Sequence, residues 1–552
     1  MLGFTAVLVG DSSPVYVVVV GVSLIAVLLF SANFIYNIYF HPLASFPGPL
    51  HYRGSEIPHL IQEWRGNTVH KWTELHSTYG DVVRIAPNQL SYISVNAWRD
   101  IYGCRGTPSI GSNPAAFTHA GAGPKGTAQM LKEELVFPGD DFEFFAPAKP
   151  MISCDAVSHA RHRRAVGPAF SDKAVRSFEP VIVQYVEDML DKLQEQQHNQ
   201  QFFNSNGVDI MDWFHFVMFD ITSALVFGKS FGNMANAKYH PWVARIFPGM
   251  KLIAWSMVIA AVPGLGRLVS WLLPKKMVDE ARLHMQSIVD MTDSRFSSSQ
   301  KLEQQPDLKP DFMTYIHPQI GNPKNQDHSS LSTEELYLNS QLLCIAGSET
   351  TASLLAGAVY FLSQPANTHH LNRLLAELQS NFSSETEITP SGLNSTKTPF
   401  LAAVLNECLR LYPPGAINMP RTVPPGGATV DGRFVPGGSI VGIAQYAAYR
   451  SPTHWRNPLT FAPERWLQSE EGPMSVYAND RREVFKPFSY GPRNCVGQNL
   501  AVAECRLITA RLFWRFEVDM FDGQGDWING QRTFLSWEKP PLRVKLTARK
   551  HL

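Results

Sequence analysis

The segment that most restricts this chain is Lys486-Pro-Phe-Ser-Tyr-Gly-Pro-Arg-Asn-Cys495-Val-Gly-Gln-Asn-Leu-Ala501. It places one cysteine between Gly491 and Gly497, directly ahead of a helical pattern over about 498–515. Glycine tolerates positive φ and lets another body approach the backbone. The helix aims the positive end of its dipole at Cys495, a field that favours thiolate over thiol. Loop N–H groups can also bond a sulfur and tune it. Cys495 has no Cys or His partner at zinc spacing, which argues against a zinc site. A lone cysteine is most often an inert buried one; the flanking glycines and Arg493 point instead to a ligand.

Three other segments carry unexpected polarity. Ser332-Thr-Glu-Glu335 is a capping box ahead of an apolar helix reaching about Ser363, with Pro365 just beyond. That length, roughly 45 Å, crosses a whole domain. In its middle lies Ala346-Gly347-Ser348-Glu349-Thr350-Thr351, an acid and hydroxyls where patterning expects apolar residues. The Ala346-Gly347 pair would let a flat ligand reach the backbone; alternatively the hydroxyls bond back to helical carbonyls and bend the helix. Glu407-Cys-Leu-Arg410 puts an acid and a base on one helical face, an arrangement that on a surface is worth little. His159-Ala-Arg161-His-Arg163-Arg164 is a basic cluster, commonly a solvated or lipid-facing helix.

The N-terminus forms a separate unit. No Asp, Glu, Lys or Arg occurs from Ser12 to Tyr52, and Val15 to Tyr36 is almost wholly apolar. Twenty-two helical residues span roughly 33 Å, enough for a bilayer core. A signal peptide would want a basic n-region and a small-residue cleavage site; here only Asp11 precedes the segment, and Phe34, Tyr36, Tyr39 and Phe40 follow its core. The nearest cations, Arg53, Arg65 and Lys71, lie on the C-terminal side and predict that the bulk of the chain faces the cytosol. Residues 1–40 are expected as a membrane anchor, with its helix at about 15–36, and residues 41–552 as one domain.

That domain reads as mainly α with small β-sheets. Helical periodicity covers 173–195, 208–228, 277–297, 333–363, 366–381, 400–411 and 498–515. Val82–Ile85 with Leu90–Ser94, and Thr429–Phe434 turning at Asp431-Gly432, read as hairpins. The polar stretches 298–332 and 379–398 read as surface loops. With 48 basic and 48 acidic residues the formal net charge is zero, so neither disorder nor nucleic-acid binding is expected. Six cysteines are too few for a disulfide scaffold.

The cysteine loop resembles the signature of the cytochrome P450 family, F-x-x-G-x-R-x-C-x-G. Phe488, Gly491, Arg493, Cys495 and Gly497 match every fixed position. The resemblance covers about residues 40–545 and implies the P450 fold. It implies haem b with Cys495 as axial ligand to iron, Phe488 packed near the sulfur, and Arg493 pairing a propionate. His159 with Arg163, and Arg421, match further propionate contacts. Glu349 and Thr350 match the acid–alcohol pair that assists proton delivery to dioxygen. Glu407 and Arg410 match the E-x-x-R helix and pair with Arg465 as a structural charge triad, with Trp466 standing where many members have Phe. Arg161 and Arg164 could face an acidic redox partner.

The implied reaction inserts one atom of O2 into a lipophilic small molecule, by hydroxylation or epoxidation. Electrons would come from NADPH through a separate flavoprotein reductase, with cytochrome b5 as a second donor. Ala346, Ile417 and Met419 are the expected apolar pocket residues, with the 108–150 loop and the 242–272 segment also at the pocket or membrane. Tyr36–Leu43 and Val83–Asn88 look like fungal microsomal members of secondary metabolism, which suggests the endoplasmic reticulum membrane and a terpenoid, polyketide or alkaloid substrate. A haem-thiolate isomerase or dehydratase, or a non-catalytic haem protein, are the alternatives.

Overall fold

The computed structural model describes residues 14–103, 130–132, 148–198, 207–262, 264–266, 269, 274–302, 310–316, 331–417, 419–467, 476–521 and 523–549. Most of the 108–150 loop and most of the 298–332 stretch lie outside them; within the loop, Leu131–Lys132 is a short strand paired with Arg421–Thr422.

The apolar N-terminal run forms one helix, Pro14–Tyr39; its Val18–Tyr39 stretch reaches a mean hydropathy of 2.5 and is largely exposed until its last turn, where Asn37 and Ile38 are buried. Its last turn is tied to the domain. Arg84, fully buried, donates to the Asn37 carbonyl at 2.8 Å and to Pro87 O at 2.9 Å. Arg53 donates to Ile38 O and Ala44 O, and Asn37 Nδ2 donates to Gly54 O. Cations thus meet the orphan carbonyls at the negative end of the helix. Arg53, which a charge count assigns to the flank, is with Arg84 a structural part of the joint.

The predicted helices form as Asp172–His198, Ile210–Phe227, Lys275–Leu302, Thr333–Leu362, Thr368–Asn381, Pro399–Leu411 and Gln498–Arg515. Thr333–Leu362 is the central helix. Its capping box closes in both directions, Glu335 N to Ser332 Oγ at 3.2 Å and Ser332 N to Glu335 Oε2 at 2.9 Å. Ile210–Phe227 is buried nearly all round because it lies along the central helix inside the larger apolar core. The surface-loop reading of 298–332 needs correction where the stretch is described. Lys275–Leu302 runs into the stretch, and Phe312–Ile316 is helical with Phe312, Met313 and Ile316 buried in the core.

Both hairpins form. Val82–Ala86 pairs antiparallel with Gln89–Tyr92, which runs parallel to Ile440–Ile443; Arg421–Thr422 adds antiparallel to the far edge of Ile440–Ile443. This sheet carries Arg421. Ala428–Val430 and Arg433–Val435 turn at Asp431 (φ 48) and Gly432 (φ 78), the paired positive φ of a two-residue hairpin loop. A C-terminal hairpin, Arg532–Thr533 with Trp537–Glu538, holds Ser536 in its loop and Lys539 just past its second strand.

The Glu407–Arg410 pair is fully buried. Glu407 Oε1 accepts from Arg410 Nη2 at 2.7 Å, Arg465 Nε at 3.0 Å and Ala462 N at 2.9 Å. Oε2 accepts from Arg410 Nε at 2.9 Å and Trp466 Nε1 at 3.0 Å. Trp466 is therefore more than a packing variant of Phe, because its indole N–H bonds the carboxylate. Asp480, unmarked by any sequence pattern, pairs with Arg465. Two carboxylates and two guanidiniums balance, which is what burial of this many charges requires. Replacing Trp466 by Phe should cost about 1.5–3 kcal/mol, one bond to a charged group. Glu407→Ala should cost about 3–5 kcal/mol, because two buried cations lose a partner. Thermal and denaturant unfolding of the two variants would check the order; equal losses would argue against it.

Candidate active site

The cysteine loop closes on itself: Cys495 N donates to Phe488 O at 2.9 Å. Gly491 (φ 79) runs against the end of the Val95–Tyr102 helix, where a Cβ would lie 1.9 Å from the Tyr102 carbonyl oxygen. The body that this glycine admits is the protein's own backbone. Gly497, at φ −86, would seat a Cβ 3.7 Å from Phe170, an ordinary contact. Among the described cysteines only Cys495 is exposed. The expected thiolate bias is not met by the protein's groups alone. Burial by the surrounding chain pushes the Cys495 thiol up, and this outweighs the Gly497 N–H and the Arg163 charge that pull it down. A coordinated metal is what would deprotonate it.

Basic groups gather at this loop. The Ala156–Val166 helix starts at Asp155, whose carboxylate caps Val157 N and Ser158 N. From it, Arg163 donates to Asn494 O and Oδ1 at 2.5 and 3.0 Å, so it pins the loop next to Cys495. His159 is buried on the same helix. Arg493 donates to Cys154 O through Nη2 at 2.8 Å, while its Nη1 is buried without a partner among the described residues. Arg421, buried, stands over the Tyr102 ring and is close enough to Arg493 that burial and then that charge lower its pKa. Arg161 makes a two-pronged pair with Glu335, at 2.6 and 2.5 Å. Of the two arginines considered for a partner surface, only Arg164 is exposed.

The central helix splits its polar residues among three directions. Gly347 and Ser348 face Thr222 of Ile210–Phe227: a Cβ at Gly347 would sit 2.9 Å from Thr222 Cγ2, and Ser348 Oγ meets Thr222 Oγ1 at 2.6 Å. The absence of a side chain at Gly347 therefore serves helix packing. Ala346 and Thr350 are exposed at mid-helix although the surrounding residues are mostly buried. Thr350 Oγ1 donates to Ala346 O at 2.7 Å, and Ser348 and Ser353 bond back in the same way. Hydroxyl back-bonding and an exposed alcohol thus coexist.

Glu349 takes the third direction. Its Oε2 accepts from His215 Nε2 at 2.9 Å, and its Oε1 accepts from Lys539 and Ser536 of the C-terminal hairpin. Burial pushes this carboxyl up, but Lys539 and His215 together hold it down at about 2. Sequence reading missed His215, Ser536 and Lys539. They stand 134 or more residues from Glu349, so no local spacing could link them. Among the pocket candidates, Met419 is exposed and Ile417 half-buried. A separate cavity of about 620 Å³ lies between the central helix, Pro399–Leu411 and Gln498–Arg515; it touches Leu354, Leu409, Phe488 and Arg506, but neither Cys495 nor Thr350.

The sequence profile of the cytochrome P450 family matches residues 142–546. This chain is a cytochrome P450. The P450 is similar to the cytochrome P450 monooxygenases astJ and aclL of Aspergillus oryzae. Each is 36% identical, over 93% and 95% of this chain and 94% and 97% of theirs. It is also 35% identical to the cytochrome P450 monooxygenase astA of Talaromyces wortmannii, over 97% of this chain and 98% of that one. The P450 is accordingly a monooxygenase, an oxidoreductase of the haem-dependent kind. The residues present fit haem: one exposed cysteine thiol, an arginine with a spare buried N–H, and an exposed alcohol on the central helix.

Glu335, too, is held at about 2: burial pushes it up, and Arg161, Ser332 N–H and His162 more than offset this. Both folded carboxyls lie below the ordinary 4.5. The stability they contribute is complete above about pH 4.5 and drains away as pH falls toward 2. Glu349→Gln should be less stable at neutral pH, since Lys539 stays buried without its partner, yet lose less between pH 5 and 3 than the parent. Unfolding midpoints across that range check this; an unchanged slope would count against the ion pair.

Proposed function

We propose that this P450 is a membrane-anchored haem-thiolate monooxygenase that hydroxylates or epoxidises a lipophilic small molecule. The observation that carries the reading is the pairing of an exposed Cys495, in a loop ringed by Arg163, Arg421 and Arg493, with an exposed Thr350 on an otherwise buried helix.

When bound, haem supplies dioxygen activation and the transfer of one oxygen atom to substrate. In balance, substrate, O2, two electrons and two protons give oxidised product and water. The chain's residues hold and serve that group. Cys495 would hold the group through its sulfur, and the loop, closed by the Cys495 N to Phe488 O bond, fixes the position of that residue. Arg493 offers its spare Nη1 to a propionate, Arg421 adds a second cation, and His159 and Arg163 line the same side. Thr350 orders water through the acceptor capacity its hydroxyl oxygen retains. Glu349 stands one residue away as the acid that passes protons on. Ala346, Ile417 and Met419 give the pocket an apolar wall, which suits a lipophilic substrate.

The Pro14–Tyr39 helix supports a single-pass anchor in the endoplasmic reticulum, with the domain on the cytosolic side. Electrons come from NADPH through a flavoprotein reductase, or in part from cytochrome b5. The resemblance of Tyr36–Leu43 and Val83–Asn88 to fungal microsomal members points to secondary metabolism, on a terpenoid, polyketide or alkaloid intermediate; the relatives from Aspergillus and Talaromyces support the fungal monooxygenase part of that reading.

Reduced protein under carbon monoxide should give the red-shifted thiolate band, and Cys495→Ala should abolish it; folded wild-type protein without the band would overturn the reading. Thr350→Ala should lower product formed per NADPH by roughly tenfold or more, the low end of acid–base effects. Unchanged coupling would remove Thr350 from the mechanism.

A further inference from the structure

The polar contacts of Glu349 continue beyond His215 in an unbroken series. His215 Nε2 lies 2.9 Å from Glu349 Oε2, and its Nδ1 lies 2.9 Å from the Tyr239 oxygen. The Tyr239 hydroxyl in turn lies 2.5 Å from Asp212 Oδ1. Phe219, Phe247 and Tyr239 enclose the imidazole, with the Phe247 centroid 4.8 Å away. His215 and Glu349 are buried, whereas Tyr239 and Asp212 are half-buried. The series therefore runs from the outer layer of the protein to the residue beside Thr350.

Counting donors shows what it holds. Glu349, ionised, only accepts, so His215 Nε2 must carry a proton. If Asp212 is ionised, the Tyr239 hydroxyl donates to it, and Nδ1 must also carry a proton to face the Tyr239 oxygen; His215 is then an imidazolium. If His215 is neutral, Nδ1 accepts from Tyr239, whose oxygen must accept from a protonated Asp212. Either way, Asp212, Tyr239 and His215 share one proton more than a neutral imidazole beside a bare carboxylate. The charges facing His215 allow this. Lys539 and an imidazolium offset Glu349 and Asp212, while Asp209 adds a second carboxyl at the outer end, with Arg543 acting on it.

We propose that Asp212, Tyr239 and His215 store and relay a proton for Glu349, with Tyr239 as the hydroxyl link between the outer carboxylates and the buried acid. In one pass the Asp212 proton moves to the Tyr239 oxygen, the Tyr239 hydroxyl proton to Nδ1, and the Nε2 proton to Glu349 Oε2. One proton leaves Asp212, one arrives at Glu349, and no electron moves. Lys539 opposes the last hop by holding Glu349 ionised, so the proton rests on the His215 side between passes. The relay rests on the role proposed above for Glu349.

Tyr239→Phe tests it in the full-length, haem-loaded protein, because it keeps the ring against Phe216 and Phe247 and removes only the hydroxyl. Product per NADPH should fall by roughly tenfold while the carbon-monoxide band stays intact. A second readout follows the ring nitrogens of His215 in ¹⁵N-histidine-labelled protein, in the diamagnetic reduced carbon-monoxide form, assigned with His215→Gln. Asp212→Asn should change the protonation of Nδ1 in the parent and leave it unchanged in Tyr239→Phe. An Nδ1 that ignores Asp212 in the parent, or that responds equally in both backgrounds, would overturn the relay. Glu349→Gln separates the two readings. If it leaves coupling intact, the role of Glu349 fails and takes the relay with it. If it uncouples while Tyr239→Phe does not, the relay alone fails.

Discussion

A buried carboxylate with five donors around it holds the cysteine side of this molecule together. Glu407 binds a guanidinium from its own helix, a second from the Pro463–Trp466 turn, and an indole from the next residue. Arg410 extends the network by donating to the Tyr449 carbonyl at 2.7 Å, and the Tyr449 hydroxyl accepts from Lys486 N at 2.6 Å. Lys486 opens the cysteine loop. The position of Cys495 therefore depends on ion pairs that never touch it. Water cannot substitute for a missing member at such a site, which gives the network its all-or-none character.

The central helix faces the opposite demand. It must pack against Ile210–Phe227 and still present polar groups to a reaction. It meets both by separating them around its circumference: Gly347 and Ser348 pack, Ala346 and Thr350 stay exposed, and Glu349 turns to the C-terminal hairpin. A helix advances about 100° per residue, so a run of five consecutive residues can serve three neighbours. Ser348 and Thr350 satisfy their hydroxyl protons on carbonyls one turn back, which lets polar side chains sit in an apolar helix at little cost.

Much of this was legible in the sequence because it is local. Periodicity located the long helices, the capping box marked the start of the central one, and Asp431-Gly432 announced its hairpin. The cysteine loop was legible because closeness to another body requires glycine, although the body at Gly491 proved to be the Tyr102 carbonyl. What stayed hidden is non-local. Asp480 meets Arg465, and Lys539 meets Glu349, only after the chain has folded. Trp466 looked like a substitute for Phe because spacing carries no information about where an indole N–H points. The thiolate bias expected at Cys495 is opposed for a similar reason, since a helix dipole is visible in sequence and the packing of the chain around the sulfur is not.

The arginines at the base of the membrane helix have a consequence for how the enzyme sits. Arg84 and Arg53 fasten the last turn of Pro14–Tyr39 to the strand and helix beneath it through one carbonyl bond each, to Asn37 O and Ile38 O, and their remaining bonds to Pro87 O and Ala44 O hold the two guanidiniums in place. A helix fixed in this way is a mast rather than a tether. In a bilayer, the tilt of such a helix would carry over to the domain, so this joint, together with the length of the apolar span, would govern how the domain meets the lipid.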